Sequence, residues 1–296
     1  MPKFTAPDGT RLAHHVRGEG APLVVLPGGP MRASAYLGDL GGLTAHRRLV
    51  LLDLRGTGDS APPADPGTYR CDRQVDDVEA LRIRLGLDRI DLLAHSAGGS
   101  LALLYAARHP HRVSRLALIT VNPWALGRPA TAGERLAAAR LRAHEPWFAT
   151  AFPAFEAWLA GAAEPDWEAF APFFHGRWDD AARAHEAATD EQTNAEAEER
   201  FLDPAAFDPP SLRTALARVT APVLVLAGEL DGGPRPALAR VVADAFPNAD
   251  FAVQPGAGHY PWLDDPEWFV RRVAAFLGAR GLCPRQTGAP VRGSGG

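Results

Sequence analysis

The sequence predicts an α/β fold, in which a mostly parallel, twisted sheet carries helices on both faces and a helical insertion interrupts the pattern. Short apolar, β-branched runs alternate with helical patterns, and this order is typical of βαβ units. Runs such as Pro22–Leu26 are apolar on both sides of the pleat, as expected where helices cover both faces of a sheet. The alternation stops over residues 123–215, where helical patterns are broken by prolines.

Seven strands and three helices can be placed in the part of the chain that alternates. The expected strands are 11–17, 22–26, 48–53, 90–94, 113–120, 223–227 and 250–253. The expected helices are one that begins at Asp72, one over 97–108 and one from 266 to about 279.

These patterns divide the chain into a core of residues 1–122 and 216–282, a helical cap of residues 123–215, and a tail of residues 283–296 that we expect to be disordered. The cap holds five of the 7 Trp and eight of the 13 Phe, with sixteen acidic and eight basic side chains. Two interpretations stay open. The aromatic residues either pack a small helical domain, or wall a pocket beneath an acidic roof that suits an apolar ligand with a cationic end.

The composition excludes several classes of protein. The 296 residues are 46% hydrophobic and 22% charged, as in ordinary globular proteins, and no apolar run approaches the ~20 residues of a membrane span. The net charge is −4 and the arginines are scattered, whereas nucleic-acid binding needs a concentrated basic patch. Cys71 and Cys283 lack metal-ligand spacing. We see no secretory signal, so we expect a cytoplasmic protein with a small-molecule or short-peptide substrate and no metal, cofactor, membrane or nucleic-acid partner.

The strongest chemical signal is a buried strand that runs through a sharp turn into a helix, with Ser96 at the apex. This pattern is typical of a nucleophile elbow, whose strained turn raises a serine hydroxyl above the sheet. Ala94 and Gly98 supply the small residues needed two positions before and after the serine. The backbone N–H of Ala97, at the start of the helix, is one candidate donor to an oxyanion.

Two further loops follow early strands. Leu26-Pro-Gly-Gly-Pro30 can fold tightly enough to offer a second oxyanion donor, for which we choose the N–H of Gly29. The glycine-rich stretch 53–60 has an expected structural role, with Asp53 or Asp59 as a catalytic group the alternative.

A serine nucleophile needs a base, and the base needs an acid that orients it. Of the ten histidines, His259 alone combines a glycine-rich loop with the end of a strand. The acid is expected after the preceding strand, where Asp231 is our choice and Glu229 the alternative. His95 is adjacent to Ser96 in sequence, but neighbouring side chains point apart at such a turn, so we assign it to packing.

The order oxyanion loop, Ser, Asp and His, each after a strand, resembles the α/β-hydrolase superfamily over nearly the whole chain outside the tail. Pro27-Gly-Gly-Pro30, the stretch 53–60 and Ser96-Ala-Gly-Gly99 look most like the proline iminopeptidase branch. The resemblance implies the α/β-hydrolase fold and removal of an N-terminal proline, or another small residue, from a peptide or amide. It also implies that carboxylates of the cap hold the free ammonium of the substrate. The candidates for this contact are Glu196, Glu198 and Glu199.

The chain departs from that branch at three places. Pro27 stands where His is usual, Ala97 where Trp is usual, and Gly232 and Gly233 where an acid often follows the catalytic Asp. An esterase or lactonase that acts on an apolar acyl group, including one in secondary metabolism, therefore stays an alternative. A cofactor-free lyase and a non-catalytic ligand-binding protein of the same fold are further alternatives. The aromatic side chains that we expect to contact the substrate are Trp124 and Tyr260.

Overall fold

The computed structural model describes residues 2–278, and an eight-stranded sheet with the order β1-β2-β4-β3-β5-β6-β7-β8 lies at its centre. The strands are β1 (Lys3–Thr5), β2 (Arg11–Arg17), β3 (Pro22–Leu26), β4 (Arg48–Leu52), β5 (Ile90–His95), β6 (Val113–Ile119), β7 (Val223–Gly228) and β8 (Ala249–Gln254). The β1–β2 and β2–β4 pairs are antiparallel, and the other pairs are parallel. The predicted α/β class with a mostly parallel sheet is therefore confirmed. The sequence pattern missed only β1, because three residues are too few to show a period.

The described residues form twelve α-helices, joined in places by short 3₁₀ turns. They are α1 (Val75–Arg84), α2 (Gly98–Arg108), α3 (Ala132–Arg140), α4 (Phe148–Leu159), α5 (Trp167–Phe170), α6 (Asp180–Ala187), α7 (Thr189–Gln192), α8 (Ala195–Phe201), α9 (Pro209–Leu216), α10 (Pro236–Ala243), α11 (Pro261–Asp264) and α12 (Pro266–Phe276). Across residues 2–278, no helix is both long and apolar enough to cross a membrane.

The helix boundaries differ in detail from the predicted ones. Asp72 belongs to a 3₁₀ turn, and α1 begins only at Val75, because the Gln74 N–H bonds three residues back to the Cys71 carbonyl. Ala97 caps α2 rather than opening it. The last helix ends at Phe276, and the predicted end near residue 279 lies outside the described residues, as does the tail 283–296.

Alternate side chains of the central strands enter two different cores. Val24 and Leu26 pack with α1, α2, α9 and α10 on one face of the sheet, whereas Leu23 and Val25 pack with Phe269 of α12 and its neighbours on the other. A strand directs successive side chains to opposite faces, so a run that is apolar at every position must be covered on both.

The region between β6 and β7 is helical, from α3 to α9, and its helices have a separate apolar cluster. Phe155, Phe170 and Phe173 are the large buried side chains of that cluster. By contrast, Phe201 of α8 and Leu216 of α9 pack in the main core on the α2 face of the sheet. The insertion thus lies between two neighbouring parallel strands, beside the carboxyl end of β6.

Candidate active site

Ser96 lies in the turn between β5 and α2 with a φ of 51°, a left-handed conformation that few residues other than glycine adopt. A Cβ at Gly98 would lie 2.2 Å from the carbonyl oxygen of Pro27. A Cβ at Gly28 would lie 2.8 Å from the Cβ of Ser96. A carbon atom cannot be accommodated at either distance, so the turn and the 27–30 loop fit together only with glycine at both positions. The sequence pointed to Gly98 but not to Gly28.

The side chains of Ser96, His259 and Asp231 form one hydrogen-bonded chain. Ser96 Oγ lies 2.8 Å from His259 Nε2, and His259 Nδ1 lies 2.9 Å from Asp231 Oδ2. Because a carboxylate oxygen only accepts, Nδ1 carries the proton and Nε2 is free to accept from the serine hydroxyl. Asp231 is fully buried, and its second oxygen accepts the N–H of Gly233 at 2.8 Å. The structure thus brings together the three residues that the sequence selected.

Glu229, the alternative acid, lies outside this chain. Its side chain is exposed and accepts the backbone N–H of Gly256 at 2.8 Å. Asp53, the other alternative, is buried and holds loops together. It accepts hydrogen bonds from the N–H and the hydroxyl of Ser34 and from the N–H of Asp59. These contacts agree with the structural role expected for the 53–60 stretch.

The two expected oxyanion donors both line the cavity beside Ser96. Within residues 2–278, neither the N–H of Gly29 nor that of Ala97 donates a hydrogen bond. The neighbouring N–H of Gly28 is already taken, because it donates to the hydroxyl of Tyr36 at 2.7 Å. Ala97 also lies at the N-terminus of α2, where the helix dipole favours negative charge.

His95 makes two hydrogen bonds through its ring, so its assignment to packing alone was wrong. Its Nε2 lies 2.9 Å from the backbone carbonyl of His259, which can only accept, so Nε2 carries the proton. Its Nδ1 then accepts the hydroxyl hydrogen of Tyr36 at 2.6 Å. Burial, and then the charge of His259, hold the pKa of His95 well below its usual range, so the ring is neutral. The chain Gly28–Tyr36–His95–His259 ties the oxyanion loop to the histidine loop.

A cavity of about 1190 Å³ opens above Ser96 and is walled by the helical insertion. Four of the five Trp of the cap line it, together with Phe174 and Tyr260; the four are Trp124, Trp158, Trp167 and Trp178. Trp124 and Tyr260 therefore lie where the sequence predicted substrate contacts. The volume exceeds that of a typical small-molecule pocket, so the cavity has room for an extended substrate.

Only one of the three predicted amine-binding glutamates reaches this cavity. Glu198 lines it, and partial burial, followed by the charges of Asp190 and Glu199, raises the pKa of its carboxyl. Glu196 instead lies 3.8 Å from Arg200 on the exposed face of α8, and Glu199 is exposed as well. Positions 196 and 199 share a helix face that position 198 does not, so the three could not all face one ligand.

The cavity is also lined by four carboxylates that the sequence pattern did not indicate. They are Asp166, Glu168, Glu186 and Asp190. Glu186 also lies 3.2 Å from Nε2 of His175, and with His185 these side chains could supply three ligands to a metal ion. The guanidinium of Arg32 donates to the carbonyl of His185 and opposes a cation there. His185 and Glu186 are adjacent in α6, whereas His175 lies in the segment before that helix, so the sequence alone did not indicate that the three meet.

A family model described as the alpha/beta hydrolase fold matches residues 21–266. The proline iminopeptidase of Levilactobacillus brevis is 25% identical over 294 residues, covering 91% of this chain and 92% of that protein. The crystal structure of the proline iminopeptidase of Mycobacterium smegmatis is 29% identical, with a TM-score of 0.71 and coverage of 94% of this chain and 98% of that one.

Other curated relatives are matched over part of their length only. A cis-3-alkyl-4-alkyloxetan-2-one decarboxylase of Shewanella oneidensis is 31% identical over 125 residues, which is 42% of this chain and 39% of that protein. Esterases and an enol-lactonase of known structure share the fold at lower identity. The predicted superfamily is therefore confirmed: the chain belongs to the α/β hydrolase fold family.

Proposed function

We propose that this α/β hydrolase is a serine hydrolase that cleaves a carboxylic ester or an amide through an acyl-enzyme. The observation that carries the proposal is the hydrogen-bonded chain from Ser96 through His259 to Asp231, which lies at a cavity lined also by Gly29 and Ala97. A nucleophile, a base and an orienting acid in that order are the requirements of acyl transfer.

The proposed mechanism is acyl transfer followed by hydrolysis of the acyl-enzyme. His259 Nε2 accepts the proton of Ser96 Oγ as the oxygen attacks the carbonyl carbon, and Asp231 stabilises the imidazolium that forms. The N–H groups of Gly29 and Ala97 hold the oxyanion, and each such donor is worth roughly 10²–10³ in rate. His259 then gives its proton to the leaving group. The same imidazole activates the water that hydrolyses the acyl-enzyme.

Within this class, an ester substrate is the form that the cavity favours. Of the glutamates expected to hold a free ammonium, only Glu198 lines the cavity. Ala97, in place of the Trp usual in the iminopeptidase branch, leaves room beside the nucleophile for an acyl group.

Removal of an N-terminal residue is the second candidate function. Five carboxylates line the cavity, and the iminopeptidase relatives match nearly the full chain. The two candidates make opposite predictions about the effect of blocking an amine.

The test compares prolyl- and alanyl-4-nitroanilides, their N-acetylated forms and 4-nitrophenyl butyrate, with Ser96→Ala as the control. The ester proposal predicts Ser96-dependent hydrolysis of the butyrate and no preference for the free amine. A strong preference for the free amine would establish the aminopeptidase instead. Turnover of any of these compounds at an unchanged rate in Ser96→Ala would contradict both candidates.

A further inference from the structure

Arg135, in α3, lies in the wall of the cavity without a charged partner. Within residues 2–278, its guanidinium makes no salt bridge and no hydrogen bond, and it lies over the ring of Trp158 with Cζ 5.5 Å from the ring centroid. The other arginine of α3, Arg140, has Glu156 at 3.6 Å, so the helix does not lack acidic neighbours. A ligand that covers this half-buried cation must supply acceptors for its N–H groups, because burying an unpaired charge is unfavourable.

The guanidinium lies close to the loop of the triad acid. A Cβ at Gly233 would come within 2.6 Å of Arg135 Nη1, and the N–H of Gly233 donates to Asp231 at 2.8 Å. Glycine at 233 therefore leaves the space that the guanidinium fills. Burial lowers the pKa of Arg135 and the charge of Asp231 opposes that shift, and a guanidinium stays protonated at neutral pH.

The other two cavity arginines are already engaged. Arg183 donates to the carbonyl of Trp178, stacks on its ring and lies 3.8 Å from Asp180. Arg32 donates to Gln192 and to the carbonyl of His185, and its remaining Nη1 is buried away from solvent. Among the residues that the structure describes, Arg135 is thus the cavity arginine whose guanidinium makes neither a hydrogen bond nor an ion pair, whereas the unpartnered Nη1 of Arg32 is buried away from a ligand.

We propose that Arg135 is a specificity-determining residue that binds an anionic group of the substrate, a carboxylate in the simplest case, while the ester carbonyl lies at Ser96. This inference rests on the proposed function and names its substrate class. Five carboxylates also line the cavity and repel an anion, so an anionic group is held only where a guanidinium with free N–H groups offsets that repulsion. The planar fork of the guanidinium suits two parallel hydrogen bonds to a carboxylate.

Two pairs of esters test the proposal, one with the anion on the acyl side and one with it on the alcohol side. The anionic members are monomethyl adipate and 6-acetoxyhexanoate, and their neutral counterparts are dimethyl adipate and methyl 6-acetoxyhexanoate. Hydrolysis is followed by titration at constant pH. In at least one pair, the anionic member has the higher kcat/KM. Arg135→Gln lowers the kcat/KM of the anionic ester by about 10- to 100-fold more than that of the neutral ester, the range expected for hydrogen bonds to a charged group. The ratio is the readout, because any effect on the nearby Asp231 loop is common to both esters.

Arg183→Gln is the matched control, because it removes a charge from the same cavity at a residue that has its own partners. It leaves the preference for the anionic ester unchanged, and Arg135→Lys restores part of it. Equal or better hydrolysis of the neutral member in both pairs, with dependence on Ser96, would overturn the anion subsite but leave the hydrolase proposal intact.

If neither these four esters nor 4-nitrophenyl butyrate is hydrolysed, the ester proposal fails and the subsite is tested by binding alone. Calorimetric titration of Ser96→Ala with monomethyl adipate then detects binding that is lost in the double variant with Arg135→Gln. Absence of binding to Ser96→Ala would contradict the subsite as well.

Discussion

The carboxyl edge of the sheet and the helical cap face each other across one cavity, but different interactions hold them. At the sheet edge, hydrogen bonds link the loops to one another, as in the chain from Tyr36 through His95 to the carbonyl of His259. In the cap, helices of 4 to 12 residues contact one another through aromatic rings such as Phe155 and Phe173. Hydrogen bonds between loops therefore hold the residues of the proposed chemistry in place, whereas the packing of aromatic side chains shapes the cavity that binds the substrate.

The largest expected effect is the loss of Ser96. Ser96→Ala lowers kcat by about 10⁴-fold or more toward 4-nitrophenyl butyrate, because no other hydroxyl replaces the attacking oxygen. Ser100→Ala is the matched control, since Ser100 is a buried serine one turn along α2 that also lines the cavity. Loss of activity in Ser100→Ala, with activity kept in Ser96→Ala, would contradict the assignment of Ser96 as the nucleophile.

The second effect separates the two candidate acids. Asp231→Asn lowers kcat by about 10⁴-fold, because the amide no longer holds the required tautomer of His259. Glu229→Gln leaves kcat within a few-fold of the parent protein, because Glu229 only accepts from a turn. Steady-state kinetics of the two variants decides between them, and the reverse order would make Glu229 the acid.

The third prediction compares the substitution of a glycine at the sheet edge with that of a glycine in the cap. Gly98→Ala places a Cβ against the carbonyl of Pro27 and lowers kcat/KM by about 100-fold, the cost of misplacing the serine by roughly 1 Å. Gly133, near the start of α3, has no atom within 4 Å of an added Cβ. Gly133→Ala therefore keeps full activity and stabilises the helix by up to about 1 kcal/mol. Kinetics and urea unfolding measure both, and equal losses would contradict the distinction.

The smallest effect concerns the hydrogen bonds that join the two loops. Tyr36→Phe leaves the N–H of Gly28 and the Nδ1 of His95 buried without a partner, which lowers the free energy of unfolding by about 1–3 kcal/mol. Tyr69→Phe is the control, because the hydroxyl of Tyr69 makes no hydrogen bond within residues 2–278. Urea unfolding compares the two variants, and equal stabilities would show that the hydrogen bonds of Tyr36 do not stabilise the fold.

The sheet and the three residues of the hydrogen-bonded chain could be predicted because local rules determine both. An apolar run of five residues specifies a buried strand, and parallel strands bring their carboxyl ends to one edge. Ser96, Asp231 and His259 each follow such a strand, so their meeting depends little on distant packing.

The cap could not be predicted in the same way, because its short helices owe their orientation to tertiary contacts. Glu196 and Glu199 were expected at the ligand, but the phase of α8 turns them to the surface and leaves only Glu198 in the cavity. Arg135 gave no signal, since its isolation appears only when its neighbours in space are known. The bridging role of His95 depends on loops 59 and 164 positions away in sequence.

Labelling with a fluorophosphonate, followed by intact-mass analysis and peptide mapping, tests most directly whether Ser96 is the nucleophile. We expect one adduct per chain, located on Ser96, absent from Ser96→Ala, formed more slowly in Asp231→Asn and unchanged in Ser100→Ala. An unlabelled protein, or an adduct on another residue, would contradict the assignment of Ser96 as the nucleophile.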